Sequence, residues 1–332
     1  MKKTIKDIAE MTGVSISTVS KVINDYPDVG EKTRAKILAA MNEMGYRSNQ
    51  VNKVKTKTQM LAVIYGFKVD LNHPFFSEVI NSFSKHIGTF GYDLLFFSNN
   101  EPNQGDVDDY LERCKRAQID GCIILGGDPN QSSLYDLDHS EIPCIGVDIK
   151  LTGPKSGYLM TDNINLGKKV VEHFYLKGHR KIAHIGGLQT TIVGSERTTG
   201  FLQAMTEFGL QLQEGWVKHG DFTEQSGYEA MKSILNSENE QPTALFSASD
   251  IMAFGAMAAI KEHGLQVPED IAIVGCDDIE LNKYMAKPLS TMKQDKQKIG
   301  QLAAYMIIDL MNNVMGSSAV VVNSELIVRQ SG

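Results

Sequence analysis

The sequence predicts an α/β protein in two parts: a small all-α head and a larger body of two doubly wound parallel-sheet lobes. Three observations carry this. The first 46 residues hold three helical stretches and no strand-like run. From Leu61 onward, apolar runs alternate with helical periodicity, the texture of parallel strands covered on both faces by crossing helices. That alternation occurs as two successive series, so two similar lobes are expected.

In the head, Thr4 can cap a first helix, with Asp7 three residues on and Ile5, Ile8 and Ala9 as its apolar face. Gly13 suits the left-handed position just past its end. Val14 then packs, and Ser15 caps a second helix from Ile16 to about Ile23, whose inward face is Val19, Val22 and Ile23. Asn24 to Pro27 read as a loop. A third helix runs from about Glu31 to Met44, with Ile37, Leu38 and Met41 at helical spacing and Gly45 as its stop. Residues 47–59 have no apolar periodicity and several lysines, as a linker would.

In the body, LAVIYGF, YDLLFFS, GCIILGG and PCIGVD are the strands of the first series, with helices near 75–90 and 106–118. KIAHIGG, TALFSAS and IAIVGCDD follow, with helices near 163–177, 197–208, 224–235 and 249–263. Sheets of this kind bind ligands beyond the carboxyl ends of their strands.

The charge is divided. The chain carries −7 overall, but residues 1–58 carry +5 and the rest −12. A basic head on an acidic body fits a protein in which only the head meets phosphate. The four cysteines form no C-x-x-C pair, and three lie in apolar runs as buried thiols. No apolar stretch follows the first lysines and no run of about 18 apolar residues occurs, so neither a signal peptide nor a membrane span is expected and the chain reads as cytoplasmic.

The segment TIKDIAEMTGVSISTVSKVIN is the most specific signal. It is a helix, a Gly-centred turn, and a second helix whose outer face, Ser17, Thr18 and Lys21, is short and polar apart from the lysine. Short side chains let a helix approach base edges, hydroxyls donate or accept, and a lysine reaches guanine or phosphate. This segment, with TRAKILAAMNEMGYRSN after it, resembles the head of the lactose-repressor (LacI/GalR) family, and the resemblance runs through essentially the whole chain.

The resemblance implies a helix-turn-helix regulator with a body of periplasmic-binding-protein type. The implied parts are a DNA-binding domain (1–46), a hinge (47–59), a first lobe (60–160 and 291–319) and a second lobe (161–290 and 320–332). Ile16, Ser17 and Lys21 fall at base-reading positions, with Thr18 beside them, and Thr4 would meet phosphate. The hinge departs from the family's Y-x-P-N-x-x-A-R-x-L: Ser48 stands for the Pro, Asn52 for the Ala, Lys53 for the Arg and Lys55 for the Leu. A lysine cannot serve as an apolar wedge. Lys53 and Lys55 are therefore expected to bind DNA by charge, with Val54 as a substitute wedge.

The same resemblance places an effector between the lobes. Phe75 and Phe76 match the family's cleft-lining aromatics, although a pair of core phenylalanines is the alternative. Arg197 matches the family's R-x-x-G-F, where a planar guanidinium can span neighbouring hydroxyls. Phe222 stands at a stacking position and Asp277 at the acid of V-G-x-D-D. Asp148 ends a strand; Thr191, Ser249 and Gln294 complete the candidate set, with Asp250 as a helix cap. Acids, one arginine and aromatic rings suit a neutral sugar, and no second cation is evident for a purine or sugar phosphate. The expected partners are double-stranded operator DNA, a small effector and a second copy of the chain, the tail lacking a heptad extension that would favour a tetramer. No phosphate loop, nucleophile elbow or dinucleotide glycine spacing occurs, and His179 and His184 are spaced poorly for a metal. Neither an enzyme, a cofactor nor a metal is expected. A solute-binding protein, or a regulator corepressed by a purine or sugar phosphate, is the rival reading.

Overall fold

The computed structural model of the chain describes residues 4–23, 28–44, 58–66, 73–97, 109–128, 130–237 and 240–332. It divides into two units, 1–57 and 58–332.

The first unit holds α1 (Ile5–Thr12), α2 (Ile16–Ile23) and α3 (Glu31–Glu43). Each boundary has a local cause. The Thr4 hydroxyl accepts from the Asp7 amide while the Asp7 carboxylate accepts from the Thr4 amide, a reciprocal cap. Gly13 closes α1 at φ +65°, and the Ser15 hydroxyl accepts from the Thr18 amide to open α2. Ile8, Ala9, Val19, Val22, Ile23, Ile37 and Ala40 form the core; Leu38, expected inside, is exposed.

The second unit opens with β1 (Met60–Tyr65), α4 (Pro74–Gly88), β2 (Asp93–Phe96), α5 (Tyr110–Arg116), β3 (Gly121–Leu125), α6 (Ser132–Asp138), β4 (Cys144–Val147) and β5 (Ser156–Thr161). The chain then crosses to α7 (Asn163–Leu176), β6 (Ile182–Gly186), α8 (Ile192–Glu207), β7 (Val217–His219), α9 (Glu224–Leu235), β8 (Ala244–Ser247), α10 (Asp250–Glu262), β9 (Ala272–Asp277), a 3-10 turn (Glu280–Lys283) and β10 (Ser290–Lys293). It returns through α11 (Lys296–Met311) and β11 (Ser318–Val322), and ends in β12 (Glu325–Ile327).

Two six-stranded sheets result, ordered β11-β5-β4-β3-β1-β2 and β12-β10-β9-β8-β6-β7. All pairings are parallel except β12 with β10. The expected lobe limits shift accordingly. Residues 291–293 stay in the second sheet as part of β10, and residues 320–322 stay in the first as part of β11, because each strand completes its ladder before the chain crosses.

Strand alternation sends side chains to opposite faces. Leu61, Val63, Ile123 and Leu125 pack with Phe76 of α4 and Ile299 of α11, while Ala62, Ile64, Cys122 and Ile124 pack with Cys114 of α5 and Leu134 of α6. In the second lobe, Ile185, Leu245 and Ile273 meet α9 and α10, and Ile182, Phe246 and Val274 meet α7 and α8. All four thiols are buried; burial pushes that of Cys114 up to about 12. No helix among the described residues is long and apolar enough to cross a membrane.

In each sheet the strand order reverses beside the first strand, between β1 and β3 and between β6 and β8, which opens a crevice at their carboxyl ends. Backbones crowd there: a Cβ on Gly66 would lie 2.2 Å from the Gly126 carbonyl oxygen. Behind the second crevice α7 and α8 touch through glycine, since a Cβ on Gly200 would lie 2.1 Å from the Ile164 carbonyl oxygen. Gly200→Ala is expected to force these helices apart at a cost of about 1–3 kcal/mol. Gly88→Ala, in open space, should not destabilise. Denaturant titration of both variants checks this; equal midpoints would show that the close approach is not required.

Candidate functional site

Two surfaces carry the candidate residues. In the first unit, Thr4, Ile16, Ser17 and Lys21 are exposed and Thr18 is half-buried. Ile16 is 51% exposed at the first turn of α2, an apolar side chain with no core to enter. The Ser15 hydroxyl lies 2.7 Å from those of Ser17 and Thr18, so the start of α2 is a tight hydroxyl cluster. The Lys21 ammonium sits on the Asp28 carboxylate, and that hydrogen bond holds Asp28 below its ordinary pKa. Lys53, Val54 and Lys55 lie outside the described residues.

The second surface lies where strand ends of the two lobes face each other. Arg197 on α8 is its centre. The side chain is 2% exposed; Nε donates to Asn163 Oδ1 at 2.9 Å and Nη1 to the Ala248 carbonyl at 2.5 Å. Asp277 Oδ1 lies 3.9 Å from Nη1. Burial works against the guanidinium charge, but the surrounding acids outweigh it and raise its pKa. Asp148, at the end of β4 in the left-handed region at φ +58°, is buried and its Oδ1 has no partner among the described residues. Burial, only partly offset by Arg197, pushes its carboxyl up to about 7.

Asp277 is held from behind. Gln294 Nε2 donates to its Oδ1 at 2.7 Å, while Gln294 Oε1 accepts from Thr161 at the end of β5. Both ends of the Gln294 amide are thus engaged. Thr191 and Ser249 are likewise committed: each caps a helix, accepting from Gly194 and Met252 amides respectively. Ser249, and not Asp250, is the cap of α10. Asp250 turns inward to accept from Thr291, Asn282 and the Ile279 amide.

The aromatics divide. Phe75 and Phe76 are both core residues of the first lobe, packed edge to face at 5.1 Å. Phe222 is half-buried at φ +70°, with its ring over Gly187, where a Cβ would lie 2.2 Å from Cζ. Only Phe222 keeps a partly open face among these three.

Two residues not anticipated from sequence belong to the site. His73, just before α4, is largely buried; its Nδ1 has no partner among the described residues, and burial depresses its pKa in the field of Asp277 and Arg197. The motif L-N-H-P-F-F placed it one residue before the helix, a signal that could have been used. Lys296, at the start of α11, is 5% exposed and reaches the Asp277 and Asp278 carbonyls. The expectation that the cleft lacks a second cation is therefore corrected. The cation was missed because it comes from a distant segment and acts through backbone oxygens. Across the rim, Lys150 of the first lobe pairs with Glu196 of the second at 2.6 Å.

His184 is fully buried between Phe201 and Phe246, and burial depresses it to about 3, so it is a neutral core residue. No cluster among the described residues could hold a metal.

The comparisons with known proteins agree with this arrangement. A family profile described as bacterial regulatory proteins, lacI family, matches residues 4–49, and one described as a periplasmic binding protein-like domain matches residues 171–332. The HTH-type transcriptional repressor PurR of Haemophilus influenzae (strain PittEE) is 34% identical over 338 residues, covering 99% of this chain and 98% of that one. PurR of Pasteurella multocida (strain Pm70) is 32% identical with the same coverage. Among solved structures, a transcriptional regulator CelR–cellobiose complex aligns with TM-score 0.76 and 27% identity, covering 99% of this chain and 100% of that one. A lac repressor dimer bound to operator and the anti-inducer ONPF aligns with TM-score 0.70 and 27% identity, covering 100% and 99%. The chain belongs to the lacI family of DNA-binding transcriptional repressors, a regulator and not an enzyme.

Proposed function

We propose that this repressor acts in the cytoplasm as a homodimer on a roughly palindromic operator, and that a neutral sugar between the lobes of each body sets its DNA affinity. In this reading Ile16, Ser17, Thr18 and Lys21 meet base edges, and Thr4, Lys53 and Lys55 meet phosphate. The lac repressor dimer on its operator supports pairing of the heads across two half-sites.

The observation that carries the sugar reading is the unpartnered Asp148 Oδ1 beside Arg197 and Asp277. The cleft is rich in acceptors, and Nε and Nη1 of its guanidinium are already bonded to protein. It therefore suits a ligand that brings many donors and no negative charge, with Phe222 covering a C–H face. The cellobiose complex of CelR is consistent with this. A purine acting as corepressor is the second reading, favoured by the higher identity to the repressors named PurR.

Thermal unfolding of the full chain against cellobiose, monosaccharides, sugar phosphates and hypoxanthine tests the choice. A ligand at about 100 times its Kd adds roughly 2.7 kcal/mol. A shift with one neutral sugar, lost in Asp277→Asn, is expected; a shift with hypoxanthine alone would replace the sugar by a purine.

Asp148 also makes binding depend on pH. With its carboxyl at about 7, the ionised acceptor appears as pH rises through neutrality. Sugar affinity is expected to increase between about pH 6 and 8, and Asp148→Asn should flatten that rise. Calorimetric titration at three pH values measures it; a wild-type profile that stays flat would remove Asp148 from the ligand shell. For the apo protein the sign is opposite. A carboxyl raised from 3.8 to about 7 makes its full contribution to stability below about pH 4 and loses it as pH climbs to about 7.

A further inference from the structure

We propose that Lys296 is a positioning residue that ties the two lobes together, its ammonium rooted in the first lobe and gripping the Asp277–Asp278 backbone of the second. The inference deepens the cleft reading above, because Asp277 is the acid that reading assigns to the ligand.

Lys296 is the first residue of α11, which is anchored by Asp295 accepting from the Lys298 amide. α11 packs in the core of the first lobe through Ile299, Ala303 and Ile307. From there Nζ donates to the Asp277 carbonyl at 2.6 Å and to the Asp278 carbonyl at 2.9 Å. Glu78 of α4, also in the first lobe, lies 3.7 Å away. A lysine buried this deeply must have its charge compensated, and these three oxygens supply that. The ammonium is thus engaged with protein and is not held out for a ligand.

The grip falls on an unusual backbone. Asp277 has φ +121° and Asp278 φ +52°, two successive non-glycine residues in the region that favours glycine. Such a conformation persists only where the surroundings hold it, and here a cation bonds both carbonyls. Gln294 holds the side chain of the same Asp277 and reaches Thr161 of the first lobe. Asp278 is further tied to Arg329. The acid of the ligand site is therefore fixed to the first lobe through its backbone by Lys296 and through its carboxylate by Gln294. Glu78 lies on α4, whose first turn carries Phe75 and Phe76, so the same ammonium stands between the Asp277 backbone and that helix. The ion pair between Lys150 and Glu196 bridges the lobes too, but it is more solvent-exposed.

The test needs no ligand and so stands apart from the identity of the effector. Arg116 and Gln203 are exposed, one on each lobe, and the four native cysteines are buried. Spin labels on Arg116→Cys and Gln203→Cys in the full chain report the distance between lobes by pulsed electron resonance. Lys296→Met is expected to lengthen and broaden that distribution, and Lys296→Arg, which keeps a cation, to restore the native one. A Lys296→Met distribution that matches the native one overturns the proposal. So does Lys296→Arg behaving like Lys296→Met, since a purely space-filling role would not distinguish them by charge. If Lys296→Met does not fold, Glu78→Gln decides, its side chain being partly exposed. Broadening supports the latch, and an unchanged distribution overturns it.

Discussion

Replacing Arg197 by Met is expected to destabilise the body by about 3–5 kcal/mol and to abolish its response to ligand. The guanidinium is almost wholly buried and satisfies Asn163 Oδ1 and the Ala248 carbonyl. Its removal orphans both acceptors and leaves Asp148 and Asp277 without the guanidinium charge between them. The deficit should grow with pH, because Asp148 escapes by protonation at lower pH but must ionise without the guanidinium as pH rises through about 7. Arg197→Lys keeps the charge but loses the fork, and should fall between the two. Denaturant unfolding at pH 6 and pH 8.5 reads this out. A Met variant within about 1 kcal/mol of wild type would show that the charge cluster is not centred on Arg197.

The second large effect is expected in the head. Ile8 is fully buried against Val19 and Ile37 in a core of few residues. Ile8→Ala should cost about 2–5 kcal/mol. A unit of this size has only about 3–5 kcal/mol of core stability to lose. Most heads would then be unfolded, and operator affinity should fall by about two orders of magnitude or more. The second unit has its own cores, so its thermal transition and ligand response should be unchanged. Operator affinity retained within a few-fold would show that the head is stabilised by something other than this core.

Much of this architecture is legible in the sequence, for physical reasons. β1, β3 and β9 are buried on both faces, so they read as near-continuous apolar runs. The head is legible because caps and turn are local: Thr4, Gly13 and Ser15 act within three or four residues of themselves. β7 offers only Val217, Lys218 and His219, with no apolar alternation to detect. α11 went unassigned although Ile299, Ala303, Ile307 and Leu310 repeat at helical spacing. α8 begins five residues before the expected start because Thr191 opens it as a cap. The site is less legible than the fold. Asp148, Arg197 and Asp277 are brought together as anticipated, but hydroxyls and amides have two uses. Thr191, Ser249 and Gln294 spend theirs on protein, and sequence cannot separate a cap from a ligand contact. Lys296 is the reverse case, a buried cation hidden because its partners are backbone carbonyls nearly twenty residues upstream.

In the proposed function the cleft acts as a switch. Ligand donors would complete Asp148 from one lobe and Asp277 from the other, so occupancy favours whichever lobe spacing presents both. A ligand can shift operator affinity only by as much as it prefers that spacing.

The most direct measurement is the affinity of the full chain for a palindromic duplex, selected from a random pool, with and without each candidate effector at fixed salt. One neutral sugar is expected to change the dissociation constant by about tenfold or more, with Asp277→Asn abolishing the change and leaving binding of the free protein intact. An operator affinity that no sugar alters, but that hypoxanthine does, would contradict the central claim about what this cleft is built to receive.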